Sequence, residues 1–194
     1  LITDVNQSVS SVLFETLTPI NGKVIYRFND SVHGWQIVAS DGTAQGTGVV
    51  PINTIGDSGP SDLVSLGTKA LFSAVNNQND RQLYVSDGTV AGTTVLLDIN
   101  SSGNDNVGSL GLINGLVYFA ADDGVNGREL WVTDGTSGGT RMVADINPSG
   151  GSEPYGFTLS NGKIYFTAND GTRGRELYVT NGTANGTVFL GDLT

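Results

Sequence analysis

The chain has no cysteine, few basic residues and no long apolar run. Without cysteine there is no disulfide framework, no thiolate nucleophile and no cysteine metal site. Lys and Arg total 9 against 19 Asp and Glu, which gives a net charge of −10. Such a surface repels nucleic acid and anionic membranes, whereas it favours solubility and cation binding. No stretch approaches the roughly 18 apolar residues that span a bilayer, and no signal peptide is visible. We therefore expect no nucleic-acid partner and no membrane insertion.

The sequence also lacks any helical stripe of useful length, and what it has instead is a repeat. One phrase, Asp-Gly-Thr or Asn-Gly-Thr, begins at Asp41, Asp87, Asp134 and Asn181, at spacings of 46, 47 and 47 residues. A period of that length is typical of propellers, solenoids and repeat arrays. The whole chain is therefore four copies of one module.

The third copy shows the module most clearly, because turn residues separate four runs of strand length. Asn114-Gly115 and Asp134-Gly135 predict tight turns, since both central residues of a type I′ turn need positive φ. Each copy is thus predicted to be a four-stranded antiparallel meander. In the third copy its predicted strands are Leu110–Ile113, Leu116–Ala121, Arg128–Thr133 and Thr140–Ile146.

A meander of this size cannot bury both faces alone, but meanders arranged radially cover one another. We therefore predict an all-β four-bladed β-propeller that forms one domain over residues 1–194. A β-solenoid or an open array is the second possibility. Pro51 falls in the fourth strand of the first copy, which indicates that the fourth strand lies at the edge of its sheet. The expected blades cover about residues 7–53, 54–100, 101–147 and 148–194.

Two strings carry a resemblance to a known family: ELWVTDGT at residues 129–136 and ELYVTNGT at residues 176–183. They resemble the ELWxxDGT repeat family, which is found in large secreted or surface-attached bacterial proteins with many tandem copies. QLYVSDGT at residues 82–89 matches more weakly, and QIVAS at residues 36–40 departs furthest. The resemblance implies extracellular repeats and not a defined enzyme.

From these features we expect a structural or adhesive unit of an extracellular or cell-surface assembly. The partner is then the chain itself, as a filament or surface array of identical or tandem propellers. The alternative is a carbohydrate-binding, lectin-like propeller with glycans as partners. We expect no enzymatic activity, because no Gly-x-Ser-x-Gly elbow accompanies the sole histidine, His33.

Further candidate residues lie in loops. Trp35 stands where the other copies have arginine, so His33 and Trp35 form a candidate patch for a ligand or an interface. We expect no cofactor other than calcium, for which Asp122, Asp123, Asn169 and Asp170 offer hard oxygen donors. The turn residues Asp41, Asp87, Asp134 and Asn181 are expected to have a structural role.

The first six residues, Leu1-Ile2-Thr3-Asp4-Val5-Asn6, repeat the pattern of the fourth strand. The chain therefore contains five fourth-strand segments for four blades. This spare strand closes the ring, belongs to a preceding propeller, or adds to the sheet of a neighbouring molecule. We favour the last two possibilities together and expect Leu1–Asn6 to be an assembly strand.

Overall fold

The computed structural model of the protein describes residues 17–30 and 32–191. Within this part of the chain the structure is all β, and no helix is long and apolar enough to cross a membrane. Blade 1 contains β1 (Thr18–Ile20), β2 (Lys23–Asp30), β3 (Gly34–Ser40) and β4 (Gly48–Val50), and blade 2 contains β5 (Ser61–Leu66), β6 (Lys69–Val75), β7 (Arg81–Ser86) and β8 (Thr94–Leu97). Blade 3 contains β9 (Gly108–Ile113), β10 (Leu116–Asp122), β11 (Arg128–Thr133) and β12 (Arg141–Ala144), and blade 4 contains β13 (Tyr155–Ser160), β14 (Lys163–Asn169), β15 (Arg175–Thr180) and β16 (Val188–Gly191).

Each blade is one four-stranded antiparallel sheet whose strands follow chain order. The predicted fold class, all-β with four four-stranded propeller blades, is confirmed. The fourth strand lies at a sheet edge in every blade, as Pro51 indicated. β4 ends at Val50, directly before this proline, which has no N–H to donate to a ladder.

The chain divides into two compact units, Leu1–Leu96 and Leu97–Thr194. The strands of each blade lie within the blade boundaries expected from the sequence. That the 194 residues form one domain stays a prediction.

In the first unit, blade 1 packs on blade 2 through one apolar cluster. Ile25 and Ile37 of blade 1 contact this cluster together with Phe72 and Tyr84 of blade 2. The rings of Phe72 and Tyr84 stack with their centroids 5.7 Å apart. Full burial of such a side chain contributes about 1.5–3 kcal/mol, so this cluster is a main source of stability for the unit.

In the second unit, blade 3 packs on blade 4 in the same way. Leu130 and Val143 of blade 3 belong to one buried cluster with Phe166 and Tyr178 of blade 4. The ring centroid of Phe166 lies 5.8 Å from that of Tyr178. The two units therefore repeat one blade-to-blade packing scheme.

The turns differ in one respect from the prediction. Asn114 and Gly115 have φ angles of 52° and 78°, as a type I′ hairpin turn requires. At Asp134-Gly135 only the glycine has a positive φ, of 86°, so the type I′ prediction is wrong there. The reason is that the Asp134 carboxylate accepts a hydrogen bond from the backbone N–H of Thr136, which opens a wider loop over residues 134–140.

Candidate functional site

The third strand of every blade contains a buried Gln or Glu side chain near its start, at a place that we call the anchor position. It is occupied by Gln36, Gln82, Glu129 and Glu176, all of them buried. Burying an amide or a carboxylate is costly unless its polar atoms are hydrogen-bonded. Sequence reasoning did not identify this position. The signal that could have found it is the recurrence of Gln or Glu at one repeat position in an otherwise apolar strand.

Glu129 shows what the anchor position does. Its Oε2 accepts hydrogen bonds from the backbone N–H of Ile146 at 2.9 Å and from the hydroxyl of Ser152 at 2.6 Å. Its Oε1 accepts from the N–H groups of Asn147 at 3.2 Å and Ser152 at 3.0 Å. One carboxylate thus fastens both ends of the loop that leads from blade 3 to blade 4.

Burial and hydrogen bonding have opposite effects on the pKa of Glu129. Burial raises the pKa of its carboxyl, while the hydrogen bonds from Ser152, Ile146 and Asn147 act in the lowering direction. The net direction is upward. The charged form of Glu129 is therefore held in place by its donors at an electrostatic cost.

Blade 1 uses a neutral side chain for the same purpose. The side-chain carbonyl of Gln36 accepts from the hydroxyl of Ser58 at 3.1 Å, and its amide donates to the carbonyl oxygens of Asn53 and Gly56. Ser58 and Ser152 occupy the same repeat position. In the loop that leads from blade 2 to blade 3 the same repeat position is occupied by Asp105. Its carboxylate accepts hydrogen bonds from the N–H groups of Ile99 at 3.1 Å and Asn100 at 2.7 Å.

The Asp-Gly-Thr loops share one hydrogen-bond network. In the third copy, Oδ1 of Asp134 accepts from the N–H and the hydroxyl of Thr136, at 2.9 and 2.7 Å. The Thr136 hydroxyl accepts in turn from the N–H of Gly139 at 3.0 Å. The same contacts recur at Asp41, Asp87 and Asn181. In each copy the first residue of the phrase therefore holds its own loop through side-chain hydrogen bonds.

The hydrogen bonds from threonine lower the pKa of the aspartates in these loops. The threonine hydroxyl is the largest cause for Asp41, Asp87 and Asp134. All three aspartates are exposed. Their carboxylates are occupied by loop donors.

The structure brings His33 and Trp35 to the start of β3. His33 is exposed, and its carbonyl oxygen accepts from the Gln36 amide at 3.2 Å. Trp35 is half-buried, and the guanidinium carbon of Arg27 lies 4.8 Å from the centroid of its ring. One face of the indole is thus covered by an arginine. A ligand role for this pair stays a prediction.

Blade 1 and blade 2 carry their arginine at different positions of the repeat. In blade 2 the arginine is at the Trp35 position, where Arg81 donates to the carbonyl of Gly59 and to the hydroxyl of Ser73. Ser73 and Arg27 occupy equivalent positions on the second strands of their blades, because Ser73 is the cross-strand partner of Leu83 and Arg27 is the cross-strand partner of Ile37. Blade 1 therefore carries its guanidinium on the second strand and stacks it on the tryptophan that replaces the usual arginine.

The proposed calcium donors are used by their own loops. Asp123 accepts from the N–H groups of Val125 and Asn126, and Asp122 accepts from the N–H of Gly124. Asn169 accepts from the N–H of Gly171, and Asp170 accepts from Thr172 and Arg173. Residues 17–30 and 32–191 contain no group of three His, Asp or Glu side chains placed to hold a metal ion. The structure does not bring the four candidates together as a calcium site.

The assembly strand Leu1–Asn6 lies outside the described residues. Its candidate receiving edges are the fourth strands. Among them, β16 combines two apolar side chains that are about half exposed, Val188 at 49% and Leu190 at 48%. Among the described strands β16 pairs only with β15, so it forms an edge of that sheet, and an edge is a template for a further strand.

No protein-family model and no curated protein matches the sequence. Solved structures do resemble the fold. The acylaminoacyl peptidase of Pyrococcus horikoshii is 16% identical, with a TM-score of 0.56 over 92% of this chain and 27% of that one. A puromycin hydrolase mutant is 14% identical, with a TM-score of 0.58 over 87% of this chain and 27% of that one. The chain thus spans about a quarter of the length of these proteins, and the likeness concerns the fold.

These comparisons correct one expectation. We expected a chain that is not an enzyme, because its sequence lacks a recognisable nucleophile and base. The similar structures are a peptidase and a hydrolase, so that expectation is contradicted. Its weakness was that a short motif search inspects local sequence only, whereas catalytic groups are brought together by the fold of a whole protein.

Proposed function

We propose that the chain is a structural or adhesive propeller unit of an extracellular assembly, linked to its neighbour by strand addition. The observation that supports this most directly is the edge strand β16. It is apolar, carries no proline, exposes Val188 and Leu190, and is the edge of its sheet among the described strands. Such an edge is a template for another strand. Leu1–Asn6, which repeats the fourth-strand pattern, is the strand proposed to add to it.

The proposed location outside the cell is supported by the resemblance to ELWxxDGT repeats. The acidic surface, with its net charge of −10, keeps such units soluble at high local concentration. In a linear assembly each molecule donates one strand and receives one, which is a head-to-tail contact that need not close. A filament or surface array of identical propellers follows from that geometry.

The test is to delete residues 1–6 and to measure assembly by light scattering and electron microscopy. We expect the truncated chain to remain folded and to stay monomeric at concentrations at which the full chain assembles. Val125→Asp is a control, because Val125 is an exposed apolar residue in the β10–β11 loop of blade 3 and does not belong to the sheet of β16. A truncated chain that unfolds would show that Leu1–Asn6 is an internal clasp, and the proposal would then be lost.

A second candidate follows from the comparisons. The fold resembles about a quarter of a peptidase and of a puromycin hydrolase, so the chain is also a candidate portion of a larger hydrolase. His33 is the only imidazole that this sequence can contribute to such chemistry. Hydrolysis of acyl-peptide and aminoacyl-amide substrates, compared between the chain and its His33→Ala variant, tests this candidate. Turnover that depends on His33 would favour it over the structural unit.

A further inference from the structure

The fourth copy of the repeat has an asparagine where the other three copies have an aspartate. Asn181 begins the phrase Asn-Gly-Thr, whereas Asp41, Asp87 and Asp134 begin Asp-Gly-Thr. An asparagine that precedes glycine can lose its side-chain amide, because glycine has no Cβ to shield its backbone nitrogen from the asparagine side chain. Such Asn-Gly pairs begin at Asn21, Asn114, Asn126, Asn161, Asn181 and Asn185.

The donors to the side-chain oxygen distinguish Asn181 from the other five asparagines. Its Oδ1 accepts hydrogen bonds from the backbone N–H of Thr183 at 3.1 Å and from the Thr183 hydroxyl at 2.7 Å. All the Asn-Gly pairs lie in the part of the chain that the structure describes, and there Asn181 alone among them accepts through Oδ1. Two donors on one carbonyl oxygen stabilise the negative charge that develops on it when a nucleophile attacks its carbon.

The nucleophile nearest in sequence is the backbone nitrogen of Gly182. Its N–H donates to the hydroxyl of Thr180 at 3.0 Å. That hydroxyl is itself hydrogen-bonded to the hydroxyl of Thr187 at 2.8 Å. The proton that Gly182 must release in order to attack is therefore directed at a pair of hydroxyl groups.

The loop also fixes the Asn181 side chain and leaves it accessible to water. A Cβ on Gly186 would overlap Oδ1 and Cγ of Asn181, so the side chain packs directly on this glycine. Asn181 is nevertheless exposed. Its amide thus occupies the place that the carboxylates occupy in the sister loops, where Asp134 packs on Gly139 in the same way.

We propose that Asn181 is a self-processing site, at which the amide is converted to a carboxylate with the assistance of Thr183. The Gly182 nitrogen bonds to Cγ, the bond from Cγ to Nδ2 breaks, and Nδ2 leaves as ammonia with the proton of Gly182. Water then adds to Cγ of this succinimide, the bond to the Gly182 nitrogen breaks, and that nitrogen regains a proton. The net reaction is the hydrolysis of one amide to a carboxylate and ammonia, and water is its only co-reactant.

The loop selects aspartate over isoaspartate as the product. Isoaspartate forms when water adds to the backbone carbonyl of the succinimide, and it lengthens the main chain by one carbon atom. The Thr183 donors lie on the side-chain carbonyl oxygen, so they direct water to Cγ. The aspartate product also fits the loop, because Asp134 accepts the same two hydrogen bonds from Thr136 and a carboxylate is the stronger acceptor. Conversion makes the four loops alike and adds a negative charge.

Peptide mass spectrometry of the folded protein, stored in mildly alkaline buffer, measures the conversion. Chromatography of the same peptides separates aspartate from isoaspartate. We expect Asn181 to convert fastest among the Asn-Gly pairs and to give mainly aspartate. The urea-unfolded chain is the reference, in which the pairs should convert at similar rates and Asn181 should give mainly isoaspartate.

Substitution of Thr183 tests its assistance. Thr183→Val removes the hydroxyl donor and is expected to slow the conversion of Asn181 about tenfold or more, with a larger share of isoaspartate. Thr183→Ser keeps the hydroxyl and is expected to behave like the parent protein. Conversion at Asn114, which lies in another blade, is the internal control and should be the same in all three proteins. A purely structural role of Thr183 would change the urea midpoint without changing the product.

Transfer of the site to blade 3 is an independent test. Asp134→Asn creates the same Asn-Gly-Thr phrase, with Thr136 in the role of Thr183. We expect this asparagine to convert back to aspartate in the folded protein. The matched control combines Asp134→Asn with Thr136→Val and should convert about tenfold more slowly or less.

Three results would overturn the proposal. One is that Asn181 of the folded protein converts no faster than Asn114, and another is that isoaspartate is its main product. The third is a folded Thr183→Val protein whose rate and product match those of the parent. If Thr183→Val does not fold, the comparison of Asp134→Asn with its Thr136→Val control decides in its place.

Discussion

The hydroxyl of Ser152 lies 2.6 Å from Oε2 of Glu129, and the backbone N–H of the same serine lies 3.0 Å from Oε1. The two residues are 23 positions apart in sequence. The N–H groups of Ile146 and Asn147 also donate to this carboxylate, so Glu129 holds both ends of the loop that joins blade 3 to blade 4. The propeller repeat is therefore held by a buried polar contact as well as by its apolar clusters.

Glu129→Ala should destabilise the protein strongly. It leaves buried N–H groups and the Ser152 hydroxyl without an acceptor, and each such group costs about 1–3 kcal/mol. We expect a loss of about 3 kcal/mol or more in the free energy of unfolding, measured with urea. Glu129→Gln should lose much less, because Gln36 accepts the equivalent serine in blade 1. Equal losses for the two variants would show that the acceptor oxygens are not what matters.

The same carboxyl predicts a pH dependence. Burial raises the pKa of Glu129, so the folded protein binds a proton more readily than the unfolded chain does. The stability from this group is present below the ordinary glutamate pKa of about 4.3 and is lost as pH rises through the folded value. Glu129→Gln cannot titrate, so its stability relative to the parent protein should increase as pH rises through this window. Urea midpoints from about pH 4 to pH 8 measure the difference, and a constant difference would contradict the prediction.

Much of the fold could be predicted because its signals are local. Asn114-Gly115 requires positive φ at both residues, and the runs on either side have strand propensity. Because the pattern recurs about every 47 residues, the same strands and turns are predicted four times, once for each blade. The type I′ prediction failed at Asp134-Gly135, where a side-chain acceptor competes with the tight turn.

The anchor position could not be found in this way. Glu129 lies between Arg128 and Leu130, and alternation along a strand would place it at the surface. Its burial depends on Ser152, which the sequence does not place near it until the blades are packed. The stacking of Arg27 on Trp35 was missed for the same reason, since it joins residues of two strands.

The Asp-Gly-Thr loops predict a loss of stability in acid. Hydrogen bonds from threonine lower the pKa of Asp41, Asp87 and Asp134, so their stabilisation is present above the unfolded pKa and is lost as pH falls through the folded value. A variant with Asn at all three positions, as Asn181 has naturally, should lose less stability between about pH 5 and pH 2 than the parent does. Thermal unfolding at each pH measures this. Parallel acid profiles for the two proteins would contradict it.

Thr136 links two parts of its loop and provides a further prediction. Its hydroxyl donates to Asp134 and accepts from the N–H of Gly139. Thr136→Val keeps the shape but removes both contacts, and we expect a loss of about 1 kcal/mol in the free energy of unfolding. Thr136→Ser keeps the hydroxyl and should retain most of the stability. The comparison fails if the serine variant is as unstable as the valine variant.

The exchange of Arg27 and Trp35 predicts that two substitutions compensate each other. The guanidinium carbon of Arg27 lies 4.8 Å from the centroid of the Trp35 ring. Trp35→Arg alone therefore places a second guanidinium beside that of Arg27, and the repulsion between them should destabilise the protein. Arg27→Ser alone removes the cation that stacks on the indole. The double variant recreates the arrangement of blade 2, where Arg81 donates to Ser73. We therefore expect the double variant to lose less unfolding free energy than the two single variants lose together, by about 1 kcal/mol or more. A double-mutant cycle measured by urea unfolding gives this difference. Additive losses would show that the two positions are independent and that the register match between the blades has no energetic consequence.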